Sequence, residues 1–197
     1  MQRKLLFSAA LLILSCEQVG AYRQGQQEQT SFGTEVVPGE QRVKRPVPVS
    51  DTILQILRTD DAVKSCLEYN PLPAGQSLGL WFIASEIHLD GPAEADLVVV
   101  PRLRGEETLC FQSVEGIGWF WIFRPTGSGY TLALKAAGNG LWVLKTRHNG
   151  YRDVQSGSIG QAGRFVTTIT FRFDRGQYRE SRNVTRETPQ ANPGGAK

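Results

Sequence analysis

Residues 117–135 read IGWFWIFRPTGSGYTLALK, and residues 140–155 read GLWVLKTRHNGYRDVQ. Apolar, partly alternating runs cut by glycine-rich turns are the pattern of consecutive antiparallel strands. These stretches hold three of the four tryptophans, so the meander they write carries the core. They contain no catalytic signature, and the sequence says more about compartment and fold than about chemistry.

Working outward, Trp81 to Leu89 reads as a strand, Asp90-Gly91-Pro92 as a turn, and Asp96 to Val100 as the partner strand, ended by Pro101. A further run lies near Leu109 to Gln112. Strands are expected at 118–124, 129–135 and 140–146, then at Phe165 to Asp174, which Arg175-Gly176 turns into Tyr178-Arg179-Glu180. Upstream, Ser50 or Asp51 caps a helix whose Ile53, Ile56 and Leu57 share one face. Thr59 is read as the cap of a second helix carrying Val63, Cys66 and Leu67, which stops before Asn70-Pro71. Asp60 and Asp61 suit that helix's N-terminal dipole. The fold class is therefore α+β: a short N-terminal helical segment packed on a mainly antiparallel sheet of seven to eight strands, able to curl.

The 197 residues allow one domain with tails, and a 40% apolar content is enough for its core. Arg3 and Lys4 followed by the uncharged run Leu5 to Leu14 make residues 1–21 a signal peptide. Two ends compete: Ile13-Leu14-Ser15-Cys16 resembles a lipobox with lipidation at Cys16, and Val19-Gly20-Ala21 has the small residues of an ordinary signal peptidase site. Residues 22–48 carry no hydrophobic period and are read as a disordered linker, residues 49–182 as the domain, and residues 183–197 as a disordered tail. Export leaves Cys66 and Cys110 as an even pair in an oxidising compartment, and a disulfide between them follows. The net charge of +3 shows no face loaded with Lys and Arg, which speaks against nucleic acid as a partner.

Trp81-Phe82, Glu86 to Gly91, Asp96 to Val99, Phe120 to Arg124, the Gly129-Tyr130 step with Leu132 and Leu134, and Arg147 to Asp153 resemble a group of uncharacterised exported bacterial proteins. Many of those carry an Asp-Gly turn similar to the FG-GAP and VCBS calcium-binding repeats. The resemblance implies a fold and a compartment, and no activity. A calcium turn needs hard oxygens at alternate positions. Here His88 and Pro92 interrupt the ligand series and leave Asp90, Glu94 and Asp96, so no metal site and no cofactor are expected.

The densest polar cluster is the turn holding Arg147, His148, Asn149, Tyr151, Arg152 and Asp153, and these are the candidate binding residues. Arginine forks and an aromatic face there suit a carboxylate, a phosphate or a glycan hydroxyl. In the competing reading Asn149-Gly150 only turns the chain, Tyr151 packs on the sheet and Asp153 pairs with a neighbouring arginine. His88 and His148 are the sole histidines, with no Gly-x-Ser-x-Gly elbow and no His-Glu-x-x-His, so an enzyme is not expected. Trp119-Phe120-Trp121 is read as core rather than as a carbohydrate platform. The functional expectation is an exported, membrane-anchored binding or interaction domain of the bacterial cell envelope. Its partner is expected to be an envelope protein or a polar or anionic glycan, with the membrane reached through a lipid anchor only. The alternatives are an inhibitor or immunity-type protein blocking an envelope enzyme, and a cryptic hydrolase using His148 or His88.

Overall fold

A computed structural model describes residues 35–36, 46–90, 95–102, 106–113 and 115–188. Residues 1–21, read as a signal peptide with Cys16, most of the 22–48 segment, Pro92 and Glu94 of the Asp-Gly turn, and residues 189–197 lie outside the described residues. Two helices come early, α1 (Asp51–Thr59) and α2 (Asp61–Tyr69). The strands are β1 (Glu35–Val36), β2 (Pro46–Val47), β3 (Phe82–Ile87), β4 (Asp96–Pro101), β5 (Gly118–Thr126), β6 (Gly129–Gly138), β7 (Gly140–His148), β8 (Tyr151–Gly160), β9 (Phe165–Asp174) and β10 (Gln177–Glu187).

The α+β class holds, but the single curled sheet does not. There are two five-stranded sheets, ordered β2-β3-β4-β5-β6 and β1-β7-β8-β9-β10, and every strand pair is antiparallel. Each is a four-strand meander with a short N-terminal strand added at one edge. The chain changes sheet at Asn139. Its backbone N–H donates to Gly157 O (2.7 Å), and its side chain accepts from Ile159 N (2.6 Å) and donates to Glu115 O (2.9 Å).

The layers are helices, inner sheet (β2 to β6) and outer sheet (β1 and β7 to β10). Ile83, Val98, Phe120, Ile122 and Leu134 of the inner sheet pack against Leu141, Val143, Val154, Phe171 and Phe173 of the outer sheet. The inner sheet's other face, with Phe82, Val99, Trp121 and Phe123, packs under Ile53, Leu57 and Val63 of the helices. Covered on both sides, β4 is buried at every residue, which explains its unbroken Leu-Val-Val-Val run. Phe120 and Trp121 are fully buried on opposite faces of the same strand.

Four local expectations need correction. Residues 106–111 form a 3-10 turn rather than a strand, joined to the sheet by a single bridge from Gln112 to Gly118. Short strands β1 and β2 occur inside the stretch read as linker, and β10 runs to Glu187, past the boundary set at 182. In β10 the edge position leaves the strand solvent-exposed, so it carries no apolar alternation, while Val184 and Thr185 still pair with Thr168 and Thr167. β8, with Ser156, Gly157, Ser158 and Gly160, has weak strand propensity and holds its place through ladders on both sides. Among the described residues the count is thus ten strands rather than seven or eight.

The caps are informative. Ser50 Oγ accepts from Ile53 N and starts α1, which decides between Ser50 and Asp51 as its cap. Asp60 rather than Thr59 starts α2, because its carboxylate accepts from Ala62 N (2.9 Å) and Val63 N (3.4 Å), while Thr59 Oγ1 donates back to Ile56 O. Asp60 also ties the helices to the inner sheet, accepting from Trp121 Nε1 (3.2 Å) and pairing with Lys135 Nζ (2.9 Å). Asp60→Ala uncaps α2 and strands a buried indole N–H, which should cost about 2 kcal/mol in urea unfolding, with Asp60→Asn recovering most of the cap. A change under about 0.5 kcal/mol would show that the helix layer does not depend on this hub.

The Cys66–Cys110 disulfide joins α2 to the 3-10 turn between β4 and β5, with Cα atoms 5.5 Å apart. It fits a non-reducing compartment. Among the described residues no helix is long and apolar enough to cross a membrane.

Candidate functional site

The β7–β8 tip lies beside Leu89, just past β3, and beside the end of β9: the Arg152 N–H donates to Leu89 O and Asn149 Nδ2 donates to Phe173 O. At the β7–β8 tip Asn149 and Gly150 both take positive φ, 52° and 85°, which a two-residue turn between twisted strands requires. The expected turn is therefore present, and nearly every polar side chain in it is already engaged. Asn149 Nδ2 donates to Phe173 O (2.8 Å). Arg147 Nη1 donates to Gly150 O at 2.8 Å, with Asp90 O at 3.5 Å.

Asp153 is buried, but among the described residues it pairs with no arginine. Its Oδ1 lies 2.7 Å from His148 Nδ1, and its Oδ2 accepts from Thr146 Oγ1 at 2.6 Å. A histidine held by a carboxylate through Nδ1 has the orientation of a catalytic pair. Among the described residues, however, no hydroxyl or thiol donates to its other ring nitrogen. Arg152 engages the fold through its backbone, with its N–H donating to Leu89 O (2.7 Å) and its carbonyl accepting from Tyr178 Oη (2.8 Å). Its guanidinium makes no hydrogen bond or ion pair among the described residues.

Tyr151 packs inward and leads to a residue that sequence reasoning did not single out, Arg124 of β5. The Tyr151 and Phe173 rings stack at 3.9 Å, and the Arg124 guanidinium lies 4.2 Å and 4.7 Å from their centroids. Arg124 also donates to Tyr151 Oη, and it faces Asp96 Oδ1 at 3.6 Å and Asp90 Oδ2 at 3.8 Å. Among the described residues its buried Nε has no hydrogen-bond acceptor, and Asp96 faces it as a charge. Asp96, which accepts from Leu89 N at 3.2 Å, is nearly inaccessible. Burial raises its pKa from 3.8 to about 6, against the lowering effect of the Leu89 N–H and of Arg124. Burial also raises Tyr178 and Tyr151, so both phenols stay protonated. Asp90 and Asp96, the carboxylates of the interrupted calcium turn, thus converge on a guanidinium.

No protein-family model, no curated protein and no solved structure matches the chain. The two expected binding arginines sit at the β7–β8 tip, and the Arg124 cluster engages Tyr151 of the same tip. The signal for Arg124 was a lone charge directly after the apolar run Trp119 to Phe123, at the position where alternation continues the inward face of Phe120 and Ile122.

Proposed function

We propose that the chain is an exported, lipid-anchored binding domain of a bacterial cell envelope, and not an enzyme, which presents the β7–β8 tip to a polar or anionic partner. The observation that carries this reading is the division of labour in the tip. Asn149, His148, Asp153 and Arg147 are spent on holding the turn, Tyr151 is engaged by Arg124, and the Arg152 guanidinium has no hydrogen bond or ion pair among the described residues. A tip ordered before binding loses little entropy on contact, and an arginine fork offers a carboxylate or phosphate two parallel hydrogen bonds. The same stiffness favours the second reading, an inhibitor that seats a rigid turn in an envelope enzyme. The disulfide supports export in either case.

The test uses the full chain immobilised against envelope extract, with the captured partner then titrated against wild type and Arg152→Ala. Because Arg152 serves the fold through its backbone, truncation should leave the melting temperature unchanged. It should weaken the partner by about 1.5–3 kcal/mol, the scale of a hydrogen bond to a charged group. Unchanged affinity together with a lowered melting temperature would retire the tip as a site.

A further inference from the structure

We propose that the outward face of the outer sheet is a binding platform for an acidic polysaccharide, with Trp142 stacking on a sugar ring and arginines of β9 and β10 gripping its carboxylates. The proposal uses none of the tip residues and stands whether or not the tip binds a partner. Leu141 and Val143 point into the core, so Trp142 between them points out. Its six-membered ring lies along the sheet over two glycines. A Cβ at Gly140 would stand 2.8 Å from Trp142 Cη2, and one at Gly157 would stand 2.7 Å from Cζ3. Those two positions must lack a side chain for the indole to lie flat, and a flat, half-exposed indole offers one face to solvent.

The ladder registers align Trp142 with Gln155, Gln155 with Thr170, and Thr170 with Arg182 in one row across four strands. At the usual strand spacing that row is about 14 Å long, a length that suits several linked sugars rather than one. Gln155 Nε2 donates to Thr170 Oγ1 (3.2 Å), which fixes both groups and leaves the amide oxygen to accept from a hydroxyl.

Charge selects the class of ligand. Arg172 and Arg179 stand directly opposite each other on the outward face, and Arg182 and Arg186 follow on the same side of β10. All four are exposed, and Asp174 pairs with Arg179 alone, at 3.6 Å. Like charges facing each other across a ladder destabilise it, so folding does not favour this arrangement, whereas an anionic polymer neutralises it. The expectation that no face is loaded with basic residues is thereby corrected. The arginines are scattered in sequence, and the strand register collects them. Among anionic polymers, a single stacking ring beside a hydroxyl-binding row suits a sugar acid, because single-stranded nucleic acid is held by several stacking rings along a groove.

The experiment titrates the full chain with polygalacturonate, with dextran as the neutral control and a single-stranded oligonucleotide of matched charge as the competitor. Wild type should bind polygalacturonate, more weakly as salt rises, and should ignore dextran. The Arg172→Gln/Arg182→Gln/Arg186→Gln variant should lose affinity by about tenfold or more with its melting temperature kept. Trp142→Phe, which keeps a ring over the glycines, should abolish the indole fluorescence change on binding. The proposal is overturned if wild type does not bind polygalacturonate, if the triple variant binds as wild type does, or if the oligonucleotide binds more tightly.

Discussion

Replacing Arg124 with methionine is expected to lower the unfolding free energy at neutral pH by about 3–4 kcal/mol, the cost of stranding one partner of a buried charge pair. The guanidinium faces two carboxylates and two aromatic rings, so its loss removes the cation–π contacts as well as the charge that tolerates Asp96 inside the sandwich. The pH dependence carries the diagnosis. Asp96 titrates at about 6 when folded against 3.8 for the ordinary carboxylate, so between those values the folded state holds the extra proton. The stability from that difference is complete below the unfolded value and is lost as pH rises through about 6. Without Arg124 the folded value climbs further, and the variant's deficit should be largest at neutral pH and shrink towards pH 4. Adding Asp96→Asn, which still accepts from Leu89 N, should restore much of the loss at neutral pH. A deficit flat from about pH 4.5 to about pH 7.5 would show that Asp96 is not the stranded group.

Removing the Cys66–Cys110 disulfide, by Cys66→Ala with Cys110→Ala, is the second large effect. The bond spans a sequence separation of 44, and in the unfolded chain it closes a loop of that size. Chain entropy assigns such closure about 4 kcal/mol as an upper figure. The bond joins α2 to the turn leading into β5, so the helix layer and the aromatic group of Trp81, Phe82, Phe111 and Trp121 should loosen first. Guanidinium unfolding with near-ultraviolet circular dichroism reads both, because those rings report on their own packing. The exposed Cys110 makes reductant a second route to the same state. A midpoint unmoved by reductant and by the double variant would show that the bond adds nothing to stability.

The sequence by itself determined what local chemistry determines. Alternation and turn dipeptides placed β3 to β7 and β9 close to their observed bounds, and Asn149-Gly150 and Arg175-Gly176 turn where those dipeptides should. The helix face of Ile53 and Leu57, the Ser50 cap and the Cys66–Cys110 pairing were legible for the same reason: each depends on spacing, or on cysteine parity, that a linear reading contains. The candidate tip was legible as a polar turn, but the roles within it were not. Asp153 took His148 and Thr146 rather than an arginine, and this depends on where the β7–β8 register shifts.

Tertiary structure alone decided how many layers there are. The alternation of Phe120 and Trp121 says that two faces exist, and only the arrival of helices on one side and of the outer sheet on the other buries both. The edge strand β10 and the glycine-bearing β8 form because long partner strands supply their hydrogen bonds, which outweighs weak propensity. Arg124 meets Asp90, Asp96, Tyr151 and Phe173 through four separate elements, and Trp142 shares a face with Arg182 through three ladders. Charge and stacking act through space, so groups far apart in sequence become one site only when the strand registers bring them together.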